Sequence, residues 1–147
     1  MKRIFKIALI LLALGAISSF IVYKYVYNKP HPDYVKAKAE VVVNAKQLWS
    51  DYVQDKDKAD GKYTGKILQV EGSISGQEET DSLLIVVYAY SQGMFGDEGI
   101  RVTMLPEFSR SAKALNPAVP VKIKGLCTGY NGTDVILENG SIVGNQP

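Results

Sequence analysis

Leu68, Val70, Gly72 and Ile74 fall on one side of an extended chain and Gln69, Glu71 and Ser73 on the other. This is the two-residue alternation of a strand with one buried face, and Gly72 gives it freedom to bend. Residues 82–90 are apolar on both sides, with Leu83, Ile85, Val87 and Ala89 alternating against Leu84, Val86, Tyr88 and Tyr90. Such a strand needs a cover on its outer side, and the amphipathic helix that precedes it is the expected one. Residues 99–105 alternate again, placing Ile100, Val102 and Met104 inward and Arg101 and Thr103 outward, until Pro106 stops the strand. Between Pro106 and Pro117 a short helical stretch with Phe108, Ala112 and Leu115 should plug one end of the assembly. Val119, Val121 and Ile123 then alternate with Lys122 and Lys124, and a hairpin is expected at Tyr130-Asn131-Gly132-Thr133, where Asn-Gly stands between two apolar runs. Residues 134–143 make the last strand. Five strands with one helix after the third, over 61–147, predict a five-stranded Greek-key barrel of the oligonucleotide/oligosaccharide-binding (OB) type.

Ahead of the barrel, residues 30–60 read as a linker and an amphipathic helix. Asp33 would cap a helix running to about Lys56, with Val42, Ala45, Trp49 and Tyr52 on one face and Val41 and Leu48 widening it. The alternating charges of residues 55–60 end at Gly61 and read as a solvated helix end. Residues 1–29 read as a membrane anchor: Lys2, Arg3 and Lys6 precede Ile7 to Tyr23, an uncharged run interrupted only by Ser18 and Ser19. Tyr23, Tyr25 and Tyr27 suit the aromatic belt on the exit side. A secretory signal cleaved after Ser18 is the alternative, and the apolar run continuing through Phe20, Ile21 and Val22 argues against it. The basic N-terminal flank predicts a single pass of a bacterial inner membrane with the C-terminal domain outside the cytoplasm, or export after cleavage.

Charge sharpens the picture. The formal net charge of +2 is misleading, because Lys2, Arg3, Lys6, Lys24 and Lys29 all flank the apolar run. Residues 30–147 carry 12 basic against 15 acidic residues, hence −3. A domain that binds phosphate backbones ordinarily carries a basic excess, so nucleic acid is disfavoured. No Ser-His-Asp set, zinc spacing or phosphate loop occurs; neither metal nor cofactor is expected, and the chain does not read as an enzyme. His31 sits between two prolines in the linker, and Cys127 lies in a strand without a neighbouring base. Asn131-Gly132 and Asn139-Gly140 fit the glycosylation pattern but read as turns.

The runs Ala59-Asp60-Gly61-Lys62-Tyr63-Thr64-Gly65-Lys66, Val70-Glu71-Gly72, Val121-Lys122-Ile123-Lys124-Gly125 and Asp134-Val135-Ile136-Leu137 resemble the tRNA-anti-like OB-fold family of bacterial envelope proteins. The resemblance spans residues 42–142. It implies an OB barrel at the cell envelope, with no defined activity, the family's name reflecting likeness of fold. Two departures stand out: no lipoprotein cysteine follows the apolar run, and Gly140 stands where many members have a second cysteine. The usual ligand face of an OB barrel would display Tyr88, Tyr90, Arg101 and Thr103, with Lys122 on the fourth strand, and Tyr88 and Tyr90 packing under the helix is the alternative. The expected partners are the membrane and an envelope protein, a glycan or a small molecule; single-stranded nucleic acid is the alternative ligand.

Overall fold

The computed structural model describes residues 2–24, 33–94 and 96–144. It divides into two compact units, Met1–Pro32 and Asp33–Pro147. In the first, α1 (Lys2–Val22) is a single helix, and its window Phe5–Val22 has a mean hydropathy of 2.4. At 1.5 Å per residue, about 20 residues reach across the ~30 Å hydrocarbon core of a bilayer, so this helix is long and apolar enough to cross one. The spacer prolines, His31, Tyr25 and Tyr27 lie outside the described residues.

The second unit begins differently from the expected helix. Asp33 does cap, accepting from the Lys36 amide at 3.2 Å, but only a turn follows. Val41–Asn44 form strand β1 instead. Three consecutive β-branched residues favour extended backbone, and the Glu40 amide reaches the Ile67 carbonyl at 2.8 Å, starting the parallel pairing with the next strand. Val42, expected on the helix face, is exposed. The helix α2 (Ala45–Gln54) starts after Asn44, whose side chain accepts from the Lys46 amide. Asp55 then leaves helical geometry and caps a further helix, α3 (Lys56–Tyr63), so the expected solvated end is a helix of its own that runs past Gly61.

The strands that follow are β2 (Ile67–Gly72), β3 (Gly76–Thr80), β4 (Leu83–Gly93), β5 (Gly96–Met104), β6 (Val121–Tyr130) and β7 (Val135–Ile142), with α4 (Ser109–Lys113) between β5 and β6. Their order in the sheet is β1-β2-β6-β7-β5-β4-β3. The first barrel strand of the sequence pattern is thus divided into β2 and β3. Between them Ser75 donates its amide to the Val87 carbonyl at 2.7 Å and accepts the Ala89 amide on Oγ at 2.8 Å. Through this bend β2 pairs with β6 and β3 with β4, so one continuous stretch of chain serves both sides of the sheet as in a closed barrel, with β1 added along the outer edge of β2. The strand count rises to seven while the OB-type architecture holds.

Inside lie Leu68, Val70, Val86, Ile100, Val102, Ile123 and Leu137, all fully buried. α2 joins this cluster through Ala45, Leu48, Trp49 and Tyr52, packing against β2, β4 and β5. It therefore serves the interior side of β4 and not the outer side for which a cover was expected; Val87, on that outer side, stands apart from the cluster. Trp49 meets Tyr130 edge-on with ring centroids 5.9 Å apart, and Tyr52 lies 5.7 Å from Tyr130. At α4, Ala112 and Leu115 are buried, and Gln77 Nε2 donates to the carbonyls of both, at 3.3 and 3.2 Å. Val119, expected in the fourth strand, is an exposed turn residue. Asn139-Gly140 is not a terminal turn: Asn139 takes φ 55° inside β7, where the pairing register shifts.

Candidate binding face

Pairing fixes which way each expected site residue points. Tyr88 is opposite Ile100, and Val87 is opposite Arg101. Because residues directly opposite share a side, Tyr88 goes inward with Ile100, and Val87 goes outward with Arg101. Tyr88 is fully buried, so its ring is not displayed on the barrel's outer face. Burial pushes its phenol above the ordinary range, and its hydroxyl has no hydrogen-bond partner among the described residues. Tyr90 sits at the register shift between Ala89 and Ser91, half-buried against the core. Gly99 makes this packing possible: a Cβ there would stand 1.9 Å from the Tyr88 carbonyl oxygen.

Arg101 and Thr103 share the outer side of β5, opposite Val87 and Ile85 of β4. Arg101 is held firmly. Its Nε donates to Asp134 Oδ2 at 3.0 Å, its Nη1 to Glu78, and its Nη2 to the Asp97 carbonyl at 3.4 Å. The hydrogen bond to Glu78 does most to raise its pKa, Asp134 adds to this, and burial opposes both. Asp134 is fixed in turn. Its Oδ1 accepts the Gly99 amide at 3.0 Å and its own amide donates to Asn131 Oδ1 at 2.7 Å, so the Asn-Gly hairpin aims the carboxylate. Three of the five guanidinium N–H groups are committed within the fold, and the local charge is negative, with Asp97 and Glu98 alongside. A depression of about 100 Å³ is lined by Gly96, Asp97, Glu98, Arg101, Thr133 and Asp134. Burial raises the Tyr130 phenol, and the nearby charges of Glu98 and Asp134 add to it.

Lys122 is elsewhere. It is exposed on β6, opposite Glu71 of β2, and pairs with that carboxylate at 3.2 Å. Arg101 is level with Ile136, which pairs with Gly129. Lys122 lies seven residues from Gly129 along β6, roughly 23 Å at the strand rise, so Lys122 and Arg101 are not brought together. The residues that sequence reasoning passed over on this face are Asp134 and the outward row Leu83, Ile85, Val87 and Ala89. Their signal was the outward parity of Arg101, which the β4–β5 pairing transfers to Val87.

A larger cleft, about 380 Å³, opens beside Asp51, Gln54, Asp55, Lys58 and Lys62 of α2 and α3. Its central carboxylate is already saturated: Asp51 accepts from Tyr63 Oη at 2.6 Å, from Lys62 Nζ at 2.9 Å and from Gln47. Cys127 is buried; the Tyr52 hydroxyl lies 3.5 Å from its Sγ, and burial pushes the thiol up, away from the reactive thiolate. Among the described residues no three His, Cys, Asp or Glu side chains gather as metal ligands.

A search of curated proteins found no match to the chain. Among solved structures, one described as a "putative nucleic acid-binding lipoprotein" from Klebsiella pneumoniae subsp. pneumoniae MGH 78578 shares the fold, with a TM-score of 0.55 at 20% identity over 79% of this chain and 100% of that one. A second, described as a "putative aspartyl-tRNA synthetase" from Leishmania major Friedlin, aligns over 90% of this chain and 27% of its own, at 10% identity and a TM-score of 0.45. The tRNA_anti-like family model matches residues 1–142, and the chain belongs to that family.

Proposed function

We propose that this protein is a membrane-anchored binding module whose OB barrel stands outside the cytoplasm and holds a protein, glycan or small molecule on the outer side of β4 and β5. The observation that carries the reading is the pairing of α1, apolar over Phe5–Val22, with a separate compact unit, Asp33–Pro147. The fold neighbour's description as a lipoprotein supports an envelope location. Binding without chemistry accords with a saturated Asp51, a buried Cys127 and the family's OB fold.

Nucleic acid is the second reading, favoured by the same neighbour's description as nucleic acid-binding. Against it stand Asp81 at one end of the face and Asp97 at the other, with Glu78 and Asp134 already occupying Arg101, so that a phosphate backbone would be repelled. A C-terminal alkaline phosphatase fusion to the full chain, active only outside the cytoplasm, tests the location. Activity with the fusion retained in the membrane fraction is expected, and the mass of the purified chain separates an anchor from cleavage after Ser18. A cytoplasmic C-terminus would overturn the reading.

A further inference from the structure

Residues 76–105, which carry β3, β4 and β5, contain five acidic residues and one basic, a charge of −4. Residues 30–147 total −3, so the remainder of the folded unit is slightly basic and the whole acidic excess belongs to these three strands. The one cation among them, Arg101, is occupied by Glu78 and Asp134. Lys113 reaches in from α4 to pair with Glu79. Asp81, Asp97 and Glu98 have no ion-pair partner among the described residues.

Asp81 and Asp97 bracket an apolar row. Leu83 is 47% exposed and Val87, level with Arg101, only 5%, while Ile85 and Ala89 on either side of Val87 are half-buried along the same side of β4. Asp81 lies at the β3–β4 turn, while Asp97 pairs with Gln92 at the far end of the β4–β5 hairpin. Glu98, opposite Ser91, has the parity of Ile100 and turns to the other side of the hairpin, where its side chain lies across Gly93. Met94, beyond it, is 91% exposed. From Leu83 to Ala89 the apolar positions fall on every second residue over roughly 20 Å at the strand rise, and the register shift between Ala89 and Ser91 ends the alternation.

We propose that this face takes an extended lysine- and arginine-rich segment of a partner protein, with its alternate apolar side chains over Leu83, Ile85 and Ala89 and cations at its ends on Asp81 and Asp97. The inference rests on the binding-module reading and names the partner's chemistry. A two-residue spacing along the row matches the side-chain period of an extended peptide and of nothing helical. The charge selects the sign: a second copy would present the same negative face, and nucleic acid and anionic lipid would both be repelled.

The test uses the full chain in a non-ionic detergent and a labelled ten-residue peptide alternating Lys and Val, followed by fluorescence anisotropy at two salt concentrations. Its Glu–Val counterpart and single-stranded oligothymidylate serve as competitors. Salt-sensitive binding of the Lys–Val peptide is expected, weakened roughly two- to twenty-fold by Asp81→Asn with Asp97→Asn, given the range for exposed ion pairs. Asp57→Asn with Glu107→Gln removes the same charge elsewhere and should change affinity less than two-fold. Unchanged thermal midpoints certify that both variants are folded. Equal weakening by both pairs, preference for the Glu–Val peptide, or tighter binding of oligothymidylate would overturn the inference. Such a failure with the barrel outside the cytoplasm removes the cationic partner and leaves the binding module; a cytoplasmic barrel removes the reading beneath it.

Discussion

Arg101→Ala tests whether the candidate face is built around a structural clamp. As an outward strand residue Arg101 would be removable at little cost, but its side chain is only 24% exposed and that of Asp134 10%. The contact with Glu78, whose side chain is 52% exposed, contributes at most a few tenths of a kcal/mol. The contact with Asp134 is different. Without the guanidinium, this carboxylate keeps the Gly99 amide and the Thr133 hydroxyl and loses its only cation among the described residues. Exposed pairs are worth up to about 1 kcal/mol and breaking a fully buried pair costs about 3–5, so this intermediate site should cost about 2 kcal/mol. For a domain of slightly over 100 residues that is a fall of roughly 8 °C in Tm. Circular dichroism melts of the Asp33–Pro147 unit, with Arg101→Ala, Asp134→Asn and the double variant, give the coupling. A coupling of about 1–2 kcal/mol is expected. A Tm change below about 2 °C with no coupling would refute the clamp and leave the guanidinium available to a ligand.

Trp49→Ala should cost about 3–5 kcal/mol in urea unfolding, because the indole fills the barrel mouth against Tyr130; an unchanged midpoint would make α2 peripheral. Gly99→Ala forces a Cβ onto the Tyr88 carbonyl and should destabilise by about 1–3 kcal/mol or more, read in the same way, with wild-type stability showing that the β4–β5 hairpin shifts freely. The Asp51 carboxyl is held below its ordinary pKa, chiefly by the Tyr63 hydroxyl with help from Lys62 and Gln47, while burial opposes them. Its contribution is therefore fully present above its unfolded value near pH 4 and is lost as pH falls through the lower folded value. Asp51→Asn should flatten the acid limb of a Tm-against-pH curve, and an unaltered slope below pH 4 would exclude Asp51 as a source of that loss.

Much of this architecture was legible in the sequence because alternation against a polar side carries its own parity. In residues 68–74 and 99–105 the polar partners declare which side is out, and the buried set Leu68, Val70, Ile100, Val102 follows directly. The Asn131-Gly132 hairpin and the α4 plug were equally local signals, each carried by neighbours in the chain. Tertiary structure decided what local periodicity leaves open. Residues 82–90 are apolar on both sides, so only pairing with β5 turns Tyr88 inward and Val87 outward. The Val41–Val43 run became a strand because β2 offered it an unpaired edge. Arg101 met Asp134 because β5 and β7 run parallel side by side, an adjacency set by barrel closure between residues 33 apart in the chain, which no window along the sequence contains.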